Sequence, residues 1–115
     1  MRASSWAFIF SLVASATGCG TSLPPLGPSD VEWAAERWPG TTMQDLERDR
    51  SLYVAKCGGC HALVLPKKHT ADAWPGIIDE MRAEHVPLNQ AERDAIVAYV
   101  STASQASRGR TAAQP

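Results

Sequence analysis

Apolar residues recur at helical spacing in four stretches of this chain, and polar or helix-breaking residues separate them. Val31, Ala34, Ala35 and Trp38 form the first stripe; Ser29 or Asp30 can cap that helix, and Pro39-Gly40 ends it. Trp33 lies off the stripe and is expected to be partly exposed. Leu46, Tyr53 and Val54 mark a second helix over 43–56, with Thr42 and Asp45 as a capping box and Glu47, Arg48, Asp49 and Arg50 on the solvated side. Trp74, Ile77, Ile78 and Met81 stand at i, i+3, i+4 and i+7. That third helix is capped by Thr70 or Asp72 and stops near Glu84, because the residue before Pro87 disfavours helix. Ala95, Ile96, Tyr99 and Val100 make the buried face of a fourth, capped by Asn89 and Glu92. The run Ala62 to Pro66 is apolar without a partner strand, which predicts an ordered loop and an all-α fold.

The ends read differently. Residues 104–115 are Ser, Ala, Gln, Arg and Gly with no apolar stripe, which predicts a mobile tail. Residues 20–28 hold three prolines and predict a flexible tether. Residues 1–19 have the order of an export signal: the cation Arg2, an apolar stretch over 6–14, then small residues up to Cys19. The apolar stretch is shorter than the roughly 20 residues that a bilayer-spanning helix needs. Ala16-Thr17-Gly18-Cys19 resembles the lipobox of bacterial lipoproteins, in which the cysteine becomes the acylated N-terminus; Ala16 stands where Leu is usual. Cleavage after Ala16 is the alternative. Either route puts the mature protein outside the cytoplasm, as a lipoprotein anchored to a membrane at Cys19 or as a soluble periplasmic protein. Residues 29–103 remain as the folded domain.

Composition narrows the function. The chain has 115 residues, 44% of them apolar, and a net charge of −1. It suits one small domain, and the charge gives no field for nucleic acid. A core this small commonly relies on a cofactor, metal or disulfide. The cysteines number three: Cys19, Cys57 and Cys60.

Two of them lie in Cys57-Gly58-Gly59-Cys60-His61. A C-x-x-C-H run attaches c-type haem: the thiols add to the vinyl groups as thioethers, and the histidine binds iron from one side. Residues three apart share a helical face, so both sulfurs meet one porphyrin edge. Gly58 and Gly59 place no side chain between protein and macrocycle. A ligating histidine usually donates its second ring N–H to a carbonyl, and the Leu65-Pro66 region offers candidates.

The second iron ligand has four possible sources: Met81, His69, His85 or none. Met81 is the preferred reading, since a thioether at the end of the apolar stripe is the best-placed soft side chain, and a His/Met pair raises the reduction potential. His85, one turn further on, is the alternative and would give a lower potential. Trp74, Leu63, Ile77 and Ile78 are expected to exclude water. Lys67 and Lys68 lie beside the expected haem edge, where they can steer an acidic partner or be merely solvated.

Tyr53-Val54-Ala55-Lys56-Cys57-Gly58-Gly59-Cys60-His61, then Trp74, Met81 and Ala95-Ile96-Val97-Ala98-Tyr99-Val100, resembles class I-like bacterial monohaem cytochrome c domains over residues 45–101. The resemblance implies a small helical bundle with crossing N- and C-terminal helices, Tyr53 near Tyr99, one covalent haem c, His61 as proximal and Met81 as distal ligand. It implies one-electron transfer to redox partner proteins with no substrate turned over. Three other readings compete: a catalytic or sensor haem with an open sixth position, a thiol-disulfide oxidoreductase using Cys57 and Cys60, and a zinc site using those cysteines with histidines. The oxidoreductase requires a βαβ setting that the pattern lacks.

Overall fold

The computed structural model of the chain describes residues 23–59 and 62–113. Within them lie α1 (Pro28–Arg37), α2 (Met43–Cys57), α3 (Trp74–Glu84) and α4 (Gln90–Ala113), with a single 3-10 turn at Pro66–Lys68. No strand occurs among the described residues, so the fold is all-α and the apolar run after the motif is loop.

Local chemistry accounts for the helix starts. Thr42 Oγ accepts from Asp45 N at 3.2 Å, and the Asp45 carboxylate accepts from Thr42 N at 2.9 Å. Asn89 and Glu92 repeat this reciprocal pair at 2.8 and 3.0 Å. Each satisfies N–H groups that a helix start leaves unpaired. Replacing Thr42 with alanine is expected to cost about 1 kcal/mol, seen as a fall of roughly 4–8 °C in a thermal melt. α1 starts at Pro28, where the missing N–H is harmless, and Gly27 N donates to the Asp30 carboxylate at 2.7 Å. Gly40 makes the turn from α1 to α2 with φ of +87°, a region open to glycine. Thr70 caps the turn that leads into α3 by accepting from Ala73 N at 3.3 Å.

α4 is the element around which the others assemble. It packs against α1, α2, α3 and the 3-10 turn. Its Ile96, Tyr99 and Val100 are buried in one cluster with Tyr53, Trp74 and Ile78. The Tyr53 and Tyr99 rings meet at 5.9 Å where α2 crosses α4, as the resemblance implies, and Trp74 meets Tyr53 edge-on at 6.3 Å.

Three expectations are corrected. The helix does not end near Ser101: α4 continues to Ala113 in place of a mobile tail from 104 onward. Ser101, Thr102 and Ser104 are buried, and Ser101 and Ser104 donate to the carbonyls of Ala71 and His69 at 3.2 and 2.5 Å. The tether is also partly fixed. Leu23 is buried, and Arg50 donates to its carbonyl at 3.0 Å. Asp49 is 5% exposed rather than solvated, with Arg48 at 3.4 Å; burial pushes its carboxyl upward and Arg48 opposes that. Trp33, as expected, is only partly buried, with the Arg37 guanidinium 3.7 Å above its ring.

Candidate haem site

The last turn of α2 carries Tyr53, Lys56 and Cys57 to one wall of a cavity of about 450 Å³. The loop after the motif contributes Val64 and His69, α3 contributes Trp74, Ile77, Ile78 and Met81, and His85 and Val86 close its end. The lining is mainly apolar, and the volume lies in the range of about 300–1,000 Å³ usual for cofactor sites. Cys57, Trp74, Met81 and His85, named separately from the sequence, therefore meet around one space. Cys60 and His61 lie outside the described residues, as does Cys19.

The loop that follows the motif is tied down by side chains of three helices. Tyr53 Oη donates to the Val64 carbonyl. Burial, with the neighbouring Cys57 and Tyr99 adding to it, pushes the Tyr53 hydroxyl well above its ordinary range, so the phenol keeps the proton it donates. Trp74 Nε1 donates to the Pro66 carbonyl at 2.9 Å in a buried bond. Ser101 and Ser104 hold the far end of the loop from α4. The sequence marks Tyr53 and Trp74 as packing residues and misses both serines; their only signal is a polar residue at every third or fourth helical position beyond Val100.

These bonds narrow the acceptors open to a histidine in the motif. A carbonyl has two lone pairs, and Pro66 O already receives Trp74 Nε1 and, at 3.3 Å, His69 N. Leu65 O receives Lys68 N at 2.9 Å and retains one. Replacing Trp74 with phenylalanine removes the buried donor and is expected to cost about 1–3 kcal/mol in a denaturant titration.

The two candidate distal ligands differ in their surroundings. Met81 is half-buried and packs against the hydrophobic core. His85 caps α3, with its side chain 62% exposed and Nε2 at 3.5 Å from Glu84 Oε2. His69 is exposed, but its ring lines the cavity and stands edge-on to Trp74 at 5.1 Å. Leu63 packs against the core rather than lining the cavity. Lys56, at the rim, pairs with Glu92 at 3.1 Å and joins the motif end of α2 to the start of α4. The Asn89 backbone bond, and then Lys56, hold the Glu92 carboxyl below its usual range.

Gly58 matters for a reason the motif does not suggest. A Cβ there would lie 2.7 Å from the Val54 carbonyl oxygen, so the helix exit itself excludes a side chain. At Gly59 a Cβ would meet nothing within 4 Å.

Against known families, the profile described as dihaem cytochrome c matches residues 53–115, a little over half of the 115-residue chain. The match agrees with the resemblance in giving a cytochrome c-like haem domain, and departs from it in describing two haems rather than one. No curated protein and no solved structure matches the chain.

Proposed function

This chain belongs to the dihaem cytochrome c family, and from that premise we propose that it is a one-electron carrier of a bacterial cell envelope, holding one covalent haem and turning over no substrate. The observation that carries the reading is the cavity beside Cys57, with its apolar wall and its sulfur and imidazole donors. That donor set and lining fit a haem: the Cys57 thiol for a vinyl group, an apolar wall, and Met81, His69 and His85 around the same space. When bound, haem supplies an Fe(III)/Fe(II) couple. Cys57 and Cys60 tether it, His61 ligates it, and Trp74, Ile77 and Ile78 keep water from it.

A count of one haem rests on cysteine arithmetic. The family description names two haems, but this sequence holds a single C-x-x-C-H, and its third cysteine, Cys19, has no partner at that spacing. Cell-envelope placement rests on the order of residues 1–19, with Cys19 as the lipid anchor. Labelling of an expressing bacterium with radioactive palmitate is expected to mark the wild-type chain and leave Cys19→Ala unmarked. Among the described residues no helix is long and apolar enough to cross a membrane.

The sixth ligand comes from the end of α3. Met81 is the reading from the sequence and His85 its alternative; both line the cavity, Met81 also packs on the core, and we take His85 as the ligand to test first. A carboxylate beside it, Glu84, is the usual second partner of a ligating histidine. The function is tested by potentiometric titration of the haem absorbance in purified holoprotein. A reversible one-electron curve is expected; rapid peroxide or oxygen chemistry at an open iron in place of reversible cycling would overturn it.

A further inference from the structure

The cations of the described residues fall into two groups. Arg37, Arg48, Lys56 and Arg93 pair with nearby carboxylates, and Arg50 and Arg82 donate to the Leu23 and Leu88 carbonyls at 3.0 and 2.8 Å. Lys67, Lys68, Arg108 and Arg110 are exposed, and none of them forms an ion pair among the described residues.

Lys67 and Arg108 share one groove, with Lys68 next to Lys67 in the chain, whereas Arg110 lines a second groove beside Asp30 of α1. The continuation of α4 to Ala113 brings its last turns beside the 3-10 turn. There Lys67, Ser107, Arg108 and Thr111 line a groove of about 430 Å³, and Arg110 reaches Ser107 Oγ at 3.4 Å. No Asp or Glu lies between Lys56 and Asp72 or after Asp94, so neither segment supplies a carboxylate of its own. Lys67 and Lys68 immediately precede His69, whose ring lines the cavity.

We propose that this basic end is the docking face for an acidic protein partner that exchanges electrons with the haem. The inference rests on the electron-carrier reading. Cations not used within the fold, gathered beside the cavity, raise the encounter rate with an acidic surface and orient it toward the haem. A protein suits the face better than a lipid surface. The groove is walled by small and polar side chains, whereas a helix lying on a membrane presents large apolar ones. The exposed large apolar side chain of the described residues, Val54, is on α2.

The experiment follows oxidation of the reduced holoprotein by hexacyanoferrate(III) and by tris(phenanthroline)cobalt(III) in a stopped-flow instrument. Lys67→Gln with Arg108→Gln removes two charges from the face. Gln44→Glu with Ser51→Glu, at exposed positions on α2, gives the same net charge elsewhere. The face variant is expected to react with the anion about 5-fold to 10-fold more slowly at low salt, converging with wild type at high salt, within the range that steering provides. The control pair is expected to change the rate less than 2-fold, and neither pair to slow the cationic oxidant. Poly(L-glutamate) is expected to inhibit the anion reaction of wild type but not of the face variant. Equal slowing by both pairs would overturn the proposal, as would unchanged rates together with binding of wild type to phosphatidylglycerol vesicles. Failure of the reduced protein to react with either oxidant would overturn the electron-carrier reading itself.

Discussion

Replacing Cys57 and Cys60 together with serine is expected to yield a chain without covalent haem and with a fold weakened by more than about 3 kcal/mol relative to the mature protein, as for loss of a ligand that saturates the native state. The cavity is the reason. Tyr53, Trp74, Ile77, Ile78 and Met81 surround a space of about 450 Å³, a large void for so small a domain. Without the cofactor its apolar walls face water or collapse, and α2, α3 and the intervening loop lose a shared partner. A single Cys57→Ser change leaves one thioether and is expected to keep haem with a lower yield. Mass spectrometry of denatured protein from a host able to mature c-type haem checks attachment, and a circular dichroism melt checks stability. Haem mass retained by the double variant would exclude both cysteines as attachment points.

The parts of this fold that the sequence announces are those with short-range causes. Thr42 with Asp45 and Asn89 with Glu92 are local hydrogen-bond pairs, so their helices start where the pattern puts them. The stripe of Trp74, Ile77, Ile78 and Met81 on α3 and that of Ile96, Tyr99 and Val100 on α4 follow from helical spacing. The end of α4 is different. Beyond Val100 its buried residues are Ser101, Thr102, Ala103, Ser104 and Ala106, small or polar, so hydropathy carries no stripe there. Ser101 and Ser104 are buried against the 62–73 loop, whose Ala71 and His69 carbonyls they satisfy. That is a tertiary cause with no local signature. The same holds for Leu23, fixed by Arg50 from a helix 27 residues away in sequence. Asp49 falls to the same limit. Its position in a charge run says solvent, and only the packing of α2 on its neighbours makes it interior.

The site divides in the same way. Trp74 and Met81 are visible from their own helix, and Cys57 from its motif. That His69 and His85 join them around one cavity depends on how the loop and α3 fold back on α2. The four loop-holding donors Tyr53, Trp74, Ser101 and Ser104 come from three separate helices, an arrangement that spacing along the chain does not encode. The basic end is a direct product of the missed length of α4. Arg108, expected in a tail, is brought by the helix into one groove with Lys67.

The distal ligand, Met81 or His85, gives the second large expected effect. His85→Leu is expected to turn a low-spin ferric haem protein into a high-spin one that binds carbon monoxide readily in the reduced state. Met81→Leu should leave the low-spin spectrum in place and cost only the loss of a well-packed methionine, less than about 1.5 kcal/mol for a volume-conserving change. The two side chains differ in their surroundings. Met81 sits at the end of an apolar stripe and packs on the core, where a methionine is useful without a metal. His85 caps α3, lines an apolar cavity, and has a carboxylate at hand for one ring nitrogen. Two histidines on the iron also predict a lower potential than His/Met, so His85→Met should raise it. If Met81→Leu instead produces the high-spin form and abolishes the charge-transfer band of an iron–thioether bond, Met81 is the ligand and His85 only a helix cap.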